Sequence, residues 1–152
     1  MDNLFPCKDI VEELNDCGIK ATKIFPDFVL GGAHSFSELC ERLQKYSAND
    51  EYQFIYAYWD KYDSYMHTYG PDSSNCDDYL LHINKQIEDL VSKLSLDTML
   101  IVLADHGQIT VDKTINLYQT KYRKYFSLKP SLEFRTVAFF IDEQYKSLFE
   151  KE

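Results

Sequence analysis

Two apolar runs with an amphipathic helix between them constrain this chain more than any other feature. Residues 52–59 are rich in aromatics and isoleucine, and residues 98–104 read TMLIVLA. Between them Leu80, Ile83, Ile87, Leu90, Val91 and Leu94 recur at the spacing of one helix face. Runs of this length and composition predict strands, and their near-continuous apolar character predicts strands covered on both faces. Strand, long helix, strand is a βαβ unit with parallel neighbours. A Gly70-Pro71 turn leads into the helix, Ser73 or Ser74 can cap it, and Asp77 and Asp78 suit the positive end of its dipole. The expected fold class is α/β, a mostly parallel sheet flanked by helices.

The flanking segments fit that class. Ile10, Val11 and Leu14 give residues 8–16 a helical apolar face, with Gly18 placed to end it. Residues 19–25 read as a short extended segment closed by Pro26, and Gly31-Gly32 as a turn. Ser35 and Glu38 have capping-box spacing ahead of Phe36, Leu39, Cys40 and Leu43. Residues 110–130 are polar and tyrosine-rich and read as a loop-helix excursion. Residues 134–141, FRTVAFFI, predict a third strand, and residues 142–151 a closing helix. With no repeat, low-complexity tract or clear linker, residues 1–152 are expected to form one domain.

Composition narrows the partners. A net charge of -9 opposes nucleic-acid polymers and anionic membranes, both of which would be repelled. Cys7, Cys17, Cys40 and Cys76 form no CxxC pair, so no zinc-finger or thioredoxin-type motif is present, and scattered thiols favour a cytoplasmic setting. No N-terminal stretch has the form of a signal peptide, and no apolar segment reaches the ~20 residues of a bilayer span.

The chemistry concentrates where the two strong strands are expected to end. Asp63 and His67 follow the first run; Asp105 and His106 end the second. In open α/β sheets ligands bind beyond the carboxyl ends of the strands. The four-residue spacing of Asp63 and His67 places both on one side of a helical turn, a spacing that Asp60 lacks. Asp105 and His106 would diverge in a regular strand, and Gly107 would let the backbone turn both toward one site. Carboxylate and neutral imidazole are both good ligands for zinc. Read singly, each pair is most often a cap or turn; the two together, both at expected strand exits, are the more specific signal.

The pattern Tyr58-x-x-x-Tyr62-Asp63-x-x-x-His67-x-Tyr69-Gly70-Pro71-x-Ser73, then a helix, then an apolar strand ending Ala104-Asp105-His106-Gly107-Gln108, resembles the nucleotide pyrophosphatase/phosphodiesterase branch of the alkaline phosphatase superfamily. The close match spans residues 56–108. The resemblance implies an alkaline phosphatase-like fold and hydrolysis of small phosphate esters or nucleotides. It also implies two divalent ions, zinc first, one bound by Asp63 and His67 and the other by Asp105 and His106. Such families further use an N-terminal aspartate, a Thr or Ser nucleophile and a C-terminal histidine, which find no match here. The chain therefore reads as a fragment of a phosphodiesterase, nearly inactive alone, with self-association expected through surfaces exposed by truncation. The alternatives are a non-catalytic α/β binding or scaffolding module and another superfamily hydrolase or mutase. The Tyr-Gly-Pro-x-Ser extension favours the phosphodiesterase branch.

Other residues have plainer readings. His34 and His82 read as surface or packing residues. Tyr62, Tyr65 and Tyr69 line a pocket or pack the strand exit. Residues 120–126, TKYRKYF, read as a solvated face with aromatic anchors, or as a contact for phosphate and base.

Overall fold

The computed structural model describes residues 7–48, 52–133 and 136–151. The chain is α/β, and divides into two compact units, residues 1–110 and 111–152.

The first unit opens with α1 (Ile10–Asp16). Asp9 caps it by accepting from the Glu12 amide, and the Glu12 carboxylate accepts from the Asp9 amide. Gly18 follows with φ of 79°. Asn15 then fastens β1 (Ala21–Ile24): its side-chain amide donates to the Ala21 carbonyl at 3.0 Å and accepts from the Ala21 amide at 3.0 Å. The helix α2 (Phe36–Ser47) starts at Ser35, whose hydroxyl accepts from the Glu38 amide at 3.1 Å. The reciprocal half of the expected box is displaced by one residue, because the Glu38 carboxylate takes the His34 amide at 2.8 Å.

The strand β2 (Phe54–Ala57) lies parallel to β1, with Ala21 opposite Phe54 and Ile24 opposite Ala57. The βαβ unit is therefore β1-α2-β2. It buries Ile24, Ala33 and Leu39, with Phe36, Ile55 and Trp59 among the residues packed around them. Sequence reasoning placed this unit one step later along the chain. Residues 98–104 form no strand, and Met99 and Leu103 are 83% and 86% exposed. The expectation of two-sided cover also fails for β2, whose burial alternates and leaves Phe54 and Tyr56 exposed. Apolar content marks a segment that wants a partner; it does not supply the partner.

Beyond β2 come α3 (Lys61–Tyr69) and α4 (Ser74–Val91). Gly70 ends α3 at φ 83°, and its carbonyl accepts from the Ser73 hydroxyl at 2.8 Å. The same hydroxyl caps α4 by accepting from the Cys76 amide. Tyr65 stacks on Tyr79 at 4.4 Å, and the Trp59 indole donates to the Tyr79 hydroxyl at 3.0 Å. Tyr62 also stacks on Tyr79, at 6.3 Å, and these aromatics pack α3 and the β2 exit onto α4, in keeping with the packing reading of Tyr62 and Tyr65.

The second unit carries two short 3-10 turns, Leu117–Gln119 and Lys121–Tyr125, in place of the expected loop-helix excursion. An antiparallel pair follows, β3 (Ser131–Glu133) and β4 (Thr136–Ala138), and then a 3-10 turn and α5 (Lys146–Phe149). Phe134 and Arg135 of the expected third strand lie outside the described residues. Tyr125 is fully buried among Tyr122, Phe126, Tyr145 and Phe149. Lys121, Arg123 and Lys124 lie over tyrosine rings, which gives residues 120–126 the character of aromatic anchors with solvated cations.

Candidate metal centre

The first pair is delivered by α3, which begins four residues after β2 ends. Asp63 lies in its first turn and His67 in its last, one helical turn apart on the same face. His67 Nε2 is 3.5 Å from Asp63 Oδ2. The second pair follows residue 104 on a segment with no strand pairing among the described residues, and its His106 reaches the same carboxylate. His106 Nε2 is 4.0 Å from Asp63 Oδ1 and 3.8 Å from Asp105 Oδ2. His67 and His106 therefore both face Asp63, while Asp105 is in reach of His106 alone. Each side chain keeps substantial solvent access, with Asp63 the least exposed at 40%.

Gly107 plays no part in the way anticipated. Its φ is not positive, and a Cβ there would meet nothing within 4 Å, so the backbone does not require glycine. What turns the segment is side-chain bonding. Asp105 Oδ1 accepts from the His106 amide at 3.1 Å. The Gln108 side-chain amide donates to Asp63 Oδ1, and Thr110 Oγ1 donates to Asp72 Oδ2.

The donor chemistry suits a divalent cation in pairs. Tetrahedral zinc, with Zn–N and Zn–O bonds near 2.0–2.2 Å, separates adjacent donors by about 3.4 Å. The His67–Asp63 separation of 3.5 Å fits that edge. Among the described residues no group of three or more His, Cys, Asp or Glu side chains forms a cluster able to hold a metal. Each pair therefore offers two donors, one short of the three protein ligands usual at a catalytic zinc.

The local field is negative. Burial, followed by the carboxylates of Asp105, Asp60 and Asp63, pushes the Tyr58 phenol above its ordinary value. Asp60 Oδ1 is buried without a hydrogen-bond partner, and Asp60 Oδ2 lies 3.9 Å from Lys61 Nζ. Lys61 also approaches Asp27 at 3.8 Å, and His34 Nδ1 sits 3.5 Å from Asp27 on the loop after β1. His34 is exposed, in keeping with the surface reading, and has Asp27 as an acidic neighbour. Gln108 was legible in the ADHGQ run, yet its role was not, because the partner lies 45 residues away.

A family model described as type I phosphodiesterase / nucleotide pyrophosphatase matches residues 13–135. No curated protein and no solved structure gives a significant match. The matched span contains α1 from Glu13, both parallel strands, and all four residues of the site.

Proposed function

Because the chain belongs to the type I phosphodiesterase and nucleotide pyrophosphatase family of phosphate-ester hydrolases, with the alkaline phosphatase-like fold that family carries, we propose that its site is a metal-dependent phosphodiesterase centre. In this reading Asp63 and His67 hold one divalent ion, and Asp105 and His106 hold a second, zinc being the first choice. The observation that carries it is the approach of His106 to the Asp63–His67 pair, with imidazole–carboxylate separations of 3.5 and 4.0 Å at Asp63.

Charge supplies the physical reason. Asp60, Asp63 and Asp105 all act on Tyr58, so a phosphate ester approaching the bare site meets carboxylates. Bound ions supply positive charge that reverses this field and clamps the phosphoryl oxygens. The chain's own contribution is to orient donors from α3 and from the segment after residue 104. The substrate class is a small phosphate ester or nucleotide, with no nucleic-acid polymer or membrane as partner. The matched span crosses the boundary between the two units, and we take residues 1–152 as part of a single catalytic domain. The scattered thiols support a cytoplasmic setting.

No residue here is assigned as nucleophile. Ser73 is engaged as the cap of α4, and its hydroxyl is given to the Gly70 carbonyl. The chain alone is therefore expected to turn over a nitrophenyl phosphodiester very slowly even with zinc present. Phosphate-ester affinity should rise on adding zinc, and zinc analysis should return up to two ions per chain. Equal ester affinity with and without zinc sinks the proposal, and robust turnover sinks its claim of low activity.

A second reading is a non-catalytic α/β binding or scaffolding module. It is favoured by the hydrogen bonds that Asp63 and Asp105 already make within the protein. Zinc stoichiometry that falls by one ion in Asp63→Ala and by one in His106→Ala separates the two readings in favour of the first.

A further inference from the structure

We propose that Arg123, Lys124 and Lys129 form an anion-binding surface of the second unit, suited to a compact phosphate oxyanion such as pyrophosphate. Residues 111–130 hold Lys113, Lys121, Arg123, Lys124 and Lys129 against one acid, Asp112, which gives this stretch a charge of +4 in a chain of -9. Arg123, Lys124 and Lys129 are exposed, and among the described residues none of the three forms an ion pair with a carboxylate. In the first unit, by contrast, Lys8, Lys23, Arg42 and Lys61 each stand beside one. Cations gathered in one stretch without counter-charge repel each other, and a bound anion removes that repulsion.

The frame beneath these cations is fixed. Tyr125 is buried, its carbonyl accepts from the Asp142 amide at 2.9 Å, and the Ser127 amide donates to the Phe140 carbonyl at 2.8 Å. Thr120 caps the turn that carries Arg123 and Lys124, accepting from the Tyr122 amide at 3.3 Å. Lys124 Nζ lies 4.8 Å from the centre of the Tyr125 ring. One half-buried ring, Tyr118, draws two cations, with Arg123 Cζ at 5.6 Å and Lys129 Nζ at 5.8 Å from its centroid. Arg123 and Lys129 therefore stand within about 11 Å of each other, close to one screening length at 0.1 M salt. A cation on a ring is restrained without being neutralised, so its charge and its N–H donors stay available. The planar guanidinium fork suits two oxygens of one phosphate, and the ammonium groups act as point charges beside it.

The distribution of charge selects the size of the anion. All but one of the chain's Asp and Glu residues lie outside residues 111–130. A nucleic-acid polymer or a membrane surface that extends past the patch therefore meets repulsion. An anion whose charges all fall within a screening length of Arg123 and Lys129 gains the attraction and escapes most of the repulsion. Pyrophosphate meets that condition, and its binding here needs no metal.

The test is isothermal titration calorimetry of the full chain, stripped of metal and exchanged into chelator-free buffer at low salt. The probes are pyrophosphate, orthophosphate, an Asp/Glu-rich peptide and a single-stranded oligonucleotide. The wild type is expected to bind pyrophosphate more tightly than orthophosphate, with an affinity that falls as salt rises. Arg123→Gln and Lys129→Gln are each expected to lose about fivefold, the scale of an exposed charge pair, at unchanged melting temperature. Lys113→Gln, at a lysine that lies over no ring among the described residues, stays close to the wild type. A wild type that takes up no pyrophosphate overturns the inference. So does an equal loss in Lys113→Gln, which assigns the effect to the general field of the stretch. Tighter binding of the peptide or the oligonucleotide than of pyrophosphate overturns the choice of a compact anion. A loss accompanied by a lower melting temperature in both variants assigns it to structure and also overturns the inference. Because metal is absent throughout, none of these outcomes bears on the metal-dependent reading of the Asp-His pairs.

Discussion

Asp63 concentrates several demands in one side chain. It accepts from Gln108, faces two imidazoles, and adds its charge to those of Asp60 and Asp105 around Tyr58. Tyr58 is therefore a reporter for the site. Its folded-state pKa is raised above the ordinary tyrosine value of about 10. A raised folded value means that the native state holds the proton longer, so the associated stability is complete below about pH 10 and is lost as pH rises through the raised value. Burial raises the phenols of Tyr62 and Tyr79 too, so alkaline titration at the tyrosinate absorbance band should show a late fraction in the wild type that is smaller by one tyrosine in Tyr58→Phe. Zinc should move the Tyr58 part of that fraction to lower pH, since ions at Asp63 and Asp105 offset the carboxylates that hold the phenol neutral. A Tyr58 part that zinc leaves in place would count against ions at these residues. The residue types of the site were legible from the sequence, because Asp and His in paired positions announce their chemistry whether or not a strand precedes them, as none does before Asp105. Asp27 was not, and for Asp60, weighed as an alternative ligand, and Tyr58, part of the family pattern, the sequence did not tell which charges stand beside them in space.

At the scale of elements, β1, α2 and β2 are held in register by their connection as much as by their core. The Pro26–Ala33 bridge closes the loop between β1 and α2. Gly32 lies under it: a Cβ there would fall 1.9 Å from the Pro26 carbonyl oxygen. Because the obstacle is backbone, the loop must open to admit a methyl group. Gly32→Ala is expected to cost about 1–3 kcal/mol, the usual scale of overpacking, read as a shift of the urea midpoint at constant slope. A melting point equal to the wild type would mean that the loop is looser than described. Helices were the most legible elements in the sequence, since caps and periodicity are local. Asp9, Ser35 and Ser73 each cap the helix that follows them. Strands were less legible. The run at residues 98–104 carries strand composition without strand pairing, whereas β3 pairs with β4 though nothing in its composition announced it.

At the scale of the whole molecule, the exposed apolar residues gather on the segment leading into the site. Met99, Ile101, Val102 and Leu103 are all well exposed, as are Ile109 and Val111 just beyond. A contiguous apolar stretch with unpaired backbone is a template for association, opposed here by a net charge of -9. Association should rise with ionic strength as that repulsion is screened. Ile101→Asp should lower the associated fraction by about tenfold, from the loss of roughly 1.5 kcal/mol of apolar burial in the contact. Sedimentation velocity at two salt concentrations measures both effects, and a chain monomeric at high salt would remove this segment as an interface. The sequence alone determined the α/β class, the helix starts and the four metal-ligand candidates, because these depend on spacing and side-chain type within a few residues. Only the tertiary structure decided which strands pair, that Gln108 bonds Asp63, and that His106 comes within 4.0 Å of Asp63. Those outcomes depend on contacts between residues far apart in the chain, where local pattern carries no information about distance.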